Sequence, residues 1–330
     1  MNGCGGSLGC RSARVALFLL ATTASGALAE PPRPSTFSIV AADPATGEVG
    51  VAVASRFFAV GSVVPYARAG VGAVATQASA NTTYGPGALD LLARGVSPAE
   101  ALAILTRADD GQSHRQAGVV AADGASATFT GPECSAWAGG RSGPGYAVQG
   151  NILTGEPVVV AMEQAFLASA GKPLAERLYA AIVAGDAAGG DSRGKQSAVL
   201  LVSRAGGGYG GNDDRAIDIR VDDHMEPIVE LGRLTNLALV NDLWNRGWAA
   251  FRDGKHGEDL KWQEMTLAKA EAMQAGILPE VLYDTAVIRL ANGDKPGARA
   301  ALDRALALNP KLAQQAAVDG DLAALREAKP

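Results

Sequence analysis

The chain is poor in the residue types that most often advertise chemistry. Three of its 330 residues are cysteine, three are histidine, and no lysine stands before Lys172. Cys4 and Cys10 fall in an N-terminal segment read below as removable, which leaves Cys134 alone. A single thiol excludes an intramolecular disulfide framework, so a packed core has to supply the stability. With no cation beside it in sequence, Cys134 is expected to be buried and inert rather than nucleophilic. Aromatic residues make up 5% of the chain, and acidic residues outnumber basic ones, 34 to 29, with no basic stripe. That balance argues against a nucleic-acid partner. No apolar run approaches the roughly 20 residues needed to cross a bilayer, so no integral membrane span is expected.

What is present begins with an address. Arg11 and Arg14 precede the apolar run at 15–21, and Ala27-Leu28-Ala29 closes it with an A-x-A pattern. This is the arrangement of a cleavable secretory signal peptide at 1–29, and it implies a periplasmic or extracellular protein. Removing it takes Arg11 and Arg14 from a formal balance of −5 and leaves −7. Residues 30–35, with three prolines, read as an extended leader. The remainder, 48% hydrophobic over the whole chain, is long enough for one large core with a small appendage.

From Thr36 the apolar period alternates between two and 3.6 residues. Strands are expected at 36–41 and 49–54, joined by Asp43-Pro44-Ala45-Thr46-Gly47, and at 69–77. Helices are expected near 85–94 and 98–107, the second capped by Ser97 with Glu100 completing a capping box. Strands at 117–122, 125–130 and 146–152, helices at 157–169 and 173–184, and strands at 198–203 and 216–221 follow. Strands in pairs and helices in pairs indicate an α+β layered domain with antiparallel pairing. After Met225 the pattern is helical, with a hairpin of 280–291 and 296–308 around Asn292-Gly293-Asp294. Ala298, Leu302, Ala305 and Pro310 stand at the spacing of a tetratricopeptide second helix, and a degenerate earlier pair is read at about 236–275. The expected division is a domain at 36–240 and a TPR-like helical region at 241–330 able to meet a protein partner.

Four runs carry a resemblance: TFSIVAADPATGEVGVAVASRFFAVGSVVPYARAGVGAVATQ at 36–77, YAVQGNIL at 146–153, GGDSRGKQSAVLLV at 189–202 and IDIRVDDH at 217–224. Together they resemble the bacterial family called domain of unknown function 1028, over about 36–240. That resemblance implies the N-terminal-nucleophile (Ntn) hydrolase superfamily and a four-layer αββα sandwich. It also implies that Thr36 is the residue whose side chain would attack an amide carbonyl, with its own free α-amine as base. An α-amine titrates near 7.7–8.0, which suits proton transfer at neutral pH. Signal cleavage after Ala29 leaves residues 30–35 ahead of Thr36, so a second trimming after Ser35 would be required. Ser55, Arg56, Thr76, Gln77 and Asn151 fall at expected strand ends and are read as lining one pocket. Arg56 would serve as a clamp and Asn151 as an oxyanion donor, while Ser55, Thr76 and Gln77 would bind the ligand. The alternative is that Thr36 simply opens a strand and the others hydrogen-bond strand ends.

Other signals carry less. Gly189–Gln196 nearly spells a phosphate loop, but Gln196 stands where a magnesium-binding Ser or Thr belongs, and the helix-then-strand order is reversed. No cofactor is expected. Asp213, Asp214, Asp218, Asp222, Asp223 and His224 cluster without EF-hand spacing and read as a solvated strand face rather than a metal site. His114 and His256 are isolated, and Ala205–Gly211 reads as a turn. Two functions remain: an exported amidohydrolase acting on a small amide or peptide, or a non-catalytic protein that binds a small molecule, peptide or protein partner.

Overall fold

A computed structural model describes residues 36–326, and Gly3 besides. The expected signal peptide, Gly3 apart, and the leader at 30–35 lie outside the described residues. β1 (Thr36–Asp43) and β2 (Glu48–Ser55) form the opening hairpin. Its turn is closed by the Asp43 carboxylate, which accepts the Ala45 N–H at 3.0 Å, and by Gly47 at φ 71°. β3 (Pro65–Arg68), β4 (Gly72–Ala78), β5 (Arg115–Ala121) and β6 (Ser126–Thr130) make a four-stranded sheet in that order. β7 (Gly139–Gly143), β8 (Tyr146–Asn151), β9 (Ser197–Ser203) and β10 (Arg215–Val221) join the hairpin in a six-stranded sheet, β10-β9-β2-β1-β8-β7. Every strand pair is antiparallel. The helices of this part are α1 (Tyr84–Leu92), α2 (Pro98–Arg107), α3 (Pro157–Ala168) and α4 (Leu174–Ala187).

Alternation along each strand sorts side chains onto two faces. Phe37, Ile39 and Ala41 of β1, with Tyr146 and Val148 of β8, pack against Val159, Met162, Phe166, Leu178 and Ile182 of α3 and α4. The intervening Val40 and Ala42, with Val49, Val51 and Val53 of β2, meet Ala73, Ala75 and Val120 of the smaller sheet. The other face of that sheet, Val74, Ala117 and Val119, lies under Tyr84, Ala88, Leu89 and Leu102 of α1 and α2. Each fully buried aliphatic side chain here contributes roughly 1.5–3 kcal/mol by its removal from water.

Two local expectations are corrected. The strand read at 69–77 starts later, at Gly72, after a turn with Gly70 at φ 70°, and an unexpected strand, β3, precedes it and pairs with it. β7, Gly-Gly-Arg-Ser-Gly, lacks any apolar alternation and forms by pairing with β8. There the glycines admit neighbours that a Cβ would strike, Trp137 at Gly139 and Thr128 Oγ1 at Gly140. The Ser97 cap forms, its hydroxyl accepting the Glu100 N–H at 3.4 Å.

The C-terminal region is helical: α5 (Pro227–Arg252), α6 (Glu258–Ala272), α7 (Leu278–Ala291), α8 (Lys295–Leu308), α9 (Leu312–Val318) and α10 (Ala323–Arg326). α5 runs unbroken through 240/241. Its Ile228, Leu231 and Leu239 belong to the sheet core, and from Val240 onward its apolar residues belong to a second core with Leu282, Ile277 and Leu302. A charge network holds the helix to the sheet. Arg204, after β9, reaches Glu48 Oε1 at 2.7 Å and Asp242 Oδ1 at 2.5 Å, and Arg246 reaches Asp242 Oδ2 at 2.9 Å. No helix among the described residues is long and apolar enough to cross a membrane.

Candidate functional site

The alternation that fills the inter-sheet space with valine makes its other half polar. On β1 the residues sharing the face of Val40 and Ala42 are Ser38 and Thr36. On β8 they are Gln149 and Asn151, on β2 Ser55, on β4 Gln77 and on β5 Gln116. All are buried, Thr36, Ser38, Gln77, Gln116 and Gln149 with no exposed area at all. Register places Thr36 opposite both Ser55 and Asn151.

These groups form one hydrogen-bonded chain. Thr36 Oγ1 lies 3.2 Å from Ser55 Oγ, and the Thr36 carbonyl accepts from Gln77 Nε2 at 3.2 Å. Ser38 Oγ donates to Gln77 Oε1 at 2.7 Å and accepts from Gln149 Nε2 at 2.6 Å. Gln77 Nε2 also reaches Gln116 Oε1 at 2.8 Å, which accepts from Asn151 Nδ2 at 3.0 Å. Gln116 in turn donates to the Gly150 carbonyl at 2.8 Å and Thr130 Oγ1 at 2.9 Å. Gln149 Oε1 has no hydrogen-bond partner among the described residues and faces Gly118, where a Cβ would lie 2.1 Å from it. A network of this kind fixes its members' rotamers, because releasing any one of them leaves a buried polar atom unpaired.

The backbone is strained beside two members. Ala78, after Gln77, sits at φ 65° and Ile152, after Asn151, at φ 53°. A β-branched residue in that region is a genuine outlier and costs of order 1–3 kcal/mol. Both strains fall where β4 and β8 end next to Thr36.

A cavity of about 120 Å³ opens beside Ser55, lined also by Phe37, Asp186, Asp191, Lys195 and Ser197. Its rim is the glycine-rich stretch rejected as a phosphate loop. Asp191, its side chain buried, accepts the Arg56 N–H at 2.8 Å and pairs with Arg193 at 3.2 Å. Lys195 Nζ binds Asp186 at 2.9 Å and Glu226 at 3.2 Å, and those carboxylates raise its pKa, so it is a fixed cation rather than a base. On the other side Asn151 and Ile152 border a recess with Cys134 and His114. Cys134 is only partly buried, contrary to expectation, because the loop carrying it lies at this edge; its thiol donates to the Arg115 carbonyl at 3.3 Å. His114 pairs with Glu133 at 3.0 Å, and His256 with the buried Asp259 at 3.2 Å.

Thr36, Ser55, Gln77 and Asn151 therefore come together, and Thr76 and Arg56 do not join them. Thr76 is next to Gln77 and so faces the helices α1 and α2, its hydroxyl on the Asn81 carbonyl at 3.1 Å. Arg56 lies past the end of β2, exposed, with Nη1 on the Lys195 carbonyl at 3.2 Å. Ser38, Gln116 and Gln149 escaped the sequence reading, although strand parity marks all three: each is a polar residue in phase with apolar inter-sheet neighbours. The carboxylates of the acidic stretch serve local structure, Asp213 on the Arg215 N–H at 2.8 Å and Asp218 on Arg220 at 3.2 Å. Among the described residues no three His, Cys, Asp or Glu side chains converge as metal ligands.

No curated protein matches the chain. Among solved structures, protein SPO2555 from Silicibacter pomeroyi, itself assigned to DUF1028, is 32% identical, with a TM-score of 0.56 over 62% of this chain and 89% of that one. The pattern of the family of unknown function DUF1028 matches residues 36–231. That span runs from the buried Thr36 through both sheets to the first turn of α5, and the chain belongs to the DUF1028 family.

Proposed function

We propose that the protein is an exported amidohydrolase of the N-terminal-nucleophile kind, acting on a small amide or peptide, with Thr36 as nucleophile once residues up to Ser35 are removed. The observation that carries this reading is the position of Thr36. It opens the central strand of the larger sheet at the polar end of the inter-sheet space, with Ser55 and Asn151 as its strand neighbours. The stacking of helices, sheet, sheet and helices supports the αββα sandwich that this chemistry uses elsewhere. Strain at Ala78 and Ile152 is of the kind that accompanies functional sites.

In the trimmed protein the Thr36 α-amine takes the Oγ1 proton as Oγ1 bonds to the amide carbon. Asn151 faces the resulting oxyanion, and the α-ammonium returns the proton to the leaving nitrogen as the C–N bond breaks. Water then attacks the ester, with the same amine as base, and releases the acid and the Thr36 hydroxyl. Lys195 lines the adjoining cavity with its charge already matched by Asp186 and Glu226, and Arg56 lies one residue past Ser55, outside that lining, so neither is assigned a catalytic step. The helical region is read as a TPR-like module for a protein partner, carried by the hairpin α7–α8 with Ala298, Leu302 and Ala305 buried.

A second reading has its own observation: Thr36 is wholly buried in a chain that carries residues 30–35 before it. On that reading the domain binds a ligand or partner and cleaves nothing. Protein produced to begin at Thr36 and protein produced to begin at Glu30 separate the two on a panel of small amides. Turnover only by the Thr36 form supports catalysis; no turnover by either supports the binding reading.

A further inference from the structure

A sizeable cavity lies away from Thr36. It holds about 720 Å³, within the range of small-molecule sites, between the glycine-rich loop 206–211 and α5. Asn241, Asn245, Trp248 and Arg252 line it from α5 at intervals of four, three and four residues, which puts them on one helical face. The family match ends at residue 231, so this wall is built by the part of the chain beyond it.

The lining groups divide into those already engaged and those that are not. Arg204 and Arg246 are balanced by Glu48 and Asp242. Trp244 and Trp248 both donate their indole N–H to Asp284 Oδ2, at 2.8 and 2.7 Å, which fixes two flat apolar side chains at the cavity. The side chains of Asn241, Asn245 and Arg252 make no hydrogen bond or ion pair among the described residues, and all three are exposed. Two amides and one guanidinium are thus available beside two positioned indoles. The charges also set a limit. Among the described residues Arg252 is the one lining cation that makes no ion pair, and Asp284 is a lining acid that makes none, so a dianion would be opposed by Asp284. A ligand amine would find Asp284 Oδ2 already closed by the two indoles.

We infer that this pocket binds a small monocarboxylate carrying a flat ring, its carboxylate on Arg252, its ring against Trp244 and Trp248, and its polar substituents on Asn241 and Asn245. A guanidinium presents a fork that matches a carboxylate, and indoles favour flat apolar faces. The site stands whether or not Thr36 reacts.

Benzoate and benzylamine, one ring with opposite charges, are suitable probes for the full chain, followed by calorimetry and tryptophan fluorescence. Saturable benzoate binding is expected, with benzylamine at least about tenfold weaker. Arg252→Ala should raise the benzoate Kd by about tenfold and Arg252→Lys by less, since a point charge replaces the fork. Trp248→Ala should weaken both the binding and the fluorescence change. Arg252 is exposed, so its variants keep the fold. The inference is overturned if benzoate fails to bind at about 10 mM, if benzylamine binds as well, or if Arg252→Ala leaves the affinity unchanged.

Discussion

Two regions of this protein bury polar groups, and they do so in opposite ways. Between the sheets the groups are neutral amides and hydroxyls, linked from Ser38 through Gln77 and Gln116 to Asn151, with Gln149 Oε1 the single atom left over. In the helical region, beside neutral groups such as Gln263 and Thr285, stands a half-buried charge: Asp284, held by two indole N–H donors and, among the described residues, by no cation. Burial pushes its pKa up to about 6; the indoles of Trp248 and Trp244 oppose that rise, and Asp319 and Glu280 add to it. The neutral network keeps its hydrogen bonds at any moderate pH and makes a fixed cradle. The isolated carboxylate responds to pH and destabilises the fold whenever it is ionised. The first arrangement suits the positioning of a nucleophile, and the second the positioning of two indoles at a pocket.

The largest expected effect falls on the cradle's occupant. Thr36→Ala in trimmed protein should lower amide turnover by about a thousandfold or more, while costing only about 1 kcal/mol of stability for the lost hydroxyl contact. A variant that keeps turnover removes Thr36 from the mechanism. Next, Gln116→Leu should cost about 3 kcal/mol in urea unfolding, because it removes the acceptor shared by Gln77 and Asn151 and the donor to the Gly150 carbonyl and Thr130 Oγ1. A near-neutral result would mean that the network is dispensable.

Asp284 tests the other side of the comparison. A carboxylate whose folded pKa lies above its ordinary 3.8 binds its proton more tightly in the folded state. Its destabilising charge is therefore absent below about pH 4, grows as pH rises through 4–6 and is fully present at pH 7. Asp284→Asn should consequently be more stable than the parent by about 2–3 kcal/mol at pH 7 and equal to it near pH 4. Equal stability at both pH values would show that the charge is not strained. The smallest effect lies outside both regions: Ser97→Ala removes a surface cap and should cost about 1 kcal/mol, a scale for the others.

Much of this was legible in the sequence, and the gaps have physical causes. The strands at Thr36–Asp43 and Glu48–Ser55 announce themselves by alternation, and the helix Pro98–Arg107 by its Ser97 cap. β7 was not legible, because five residues with three glycines carry no apolar signal and the strand exists only through pairing with β8. Thr76 was placed with Gln77 although neighbours in a strand point to opposite faces, so only one of the two could face Thr36. The cradle itself was half legible: Ser55, Gln77 and Asn151 stood out as strand ends, while Ser38, Gln116 and Gln149 needed the second sheet to bring them opposite. Lys195 was set aside with its glycine-rich run, and only the fold carries that run to the rim beside Ser55.

The central claim is that Thr36 works with a free α-amine, and the N-terminus of the protein recovered from its native host tests it most directly. Intact mass and N-terminal sequencing should find a chain that begins at Thr36. A chain that begins at Glu30 and stays that length would leave the Thr36 nitrogen in a peptide bond, and would contradict the mechanism.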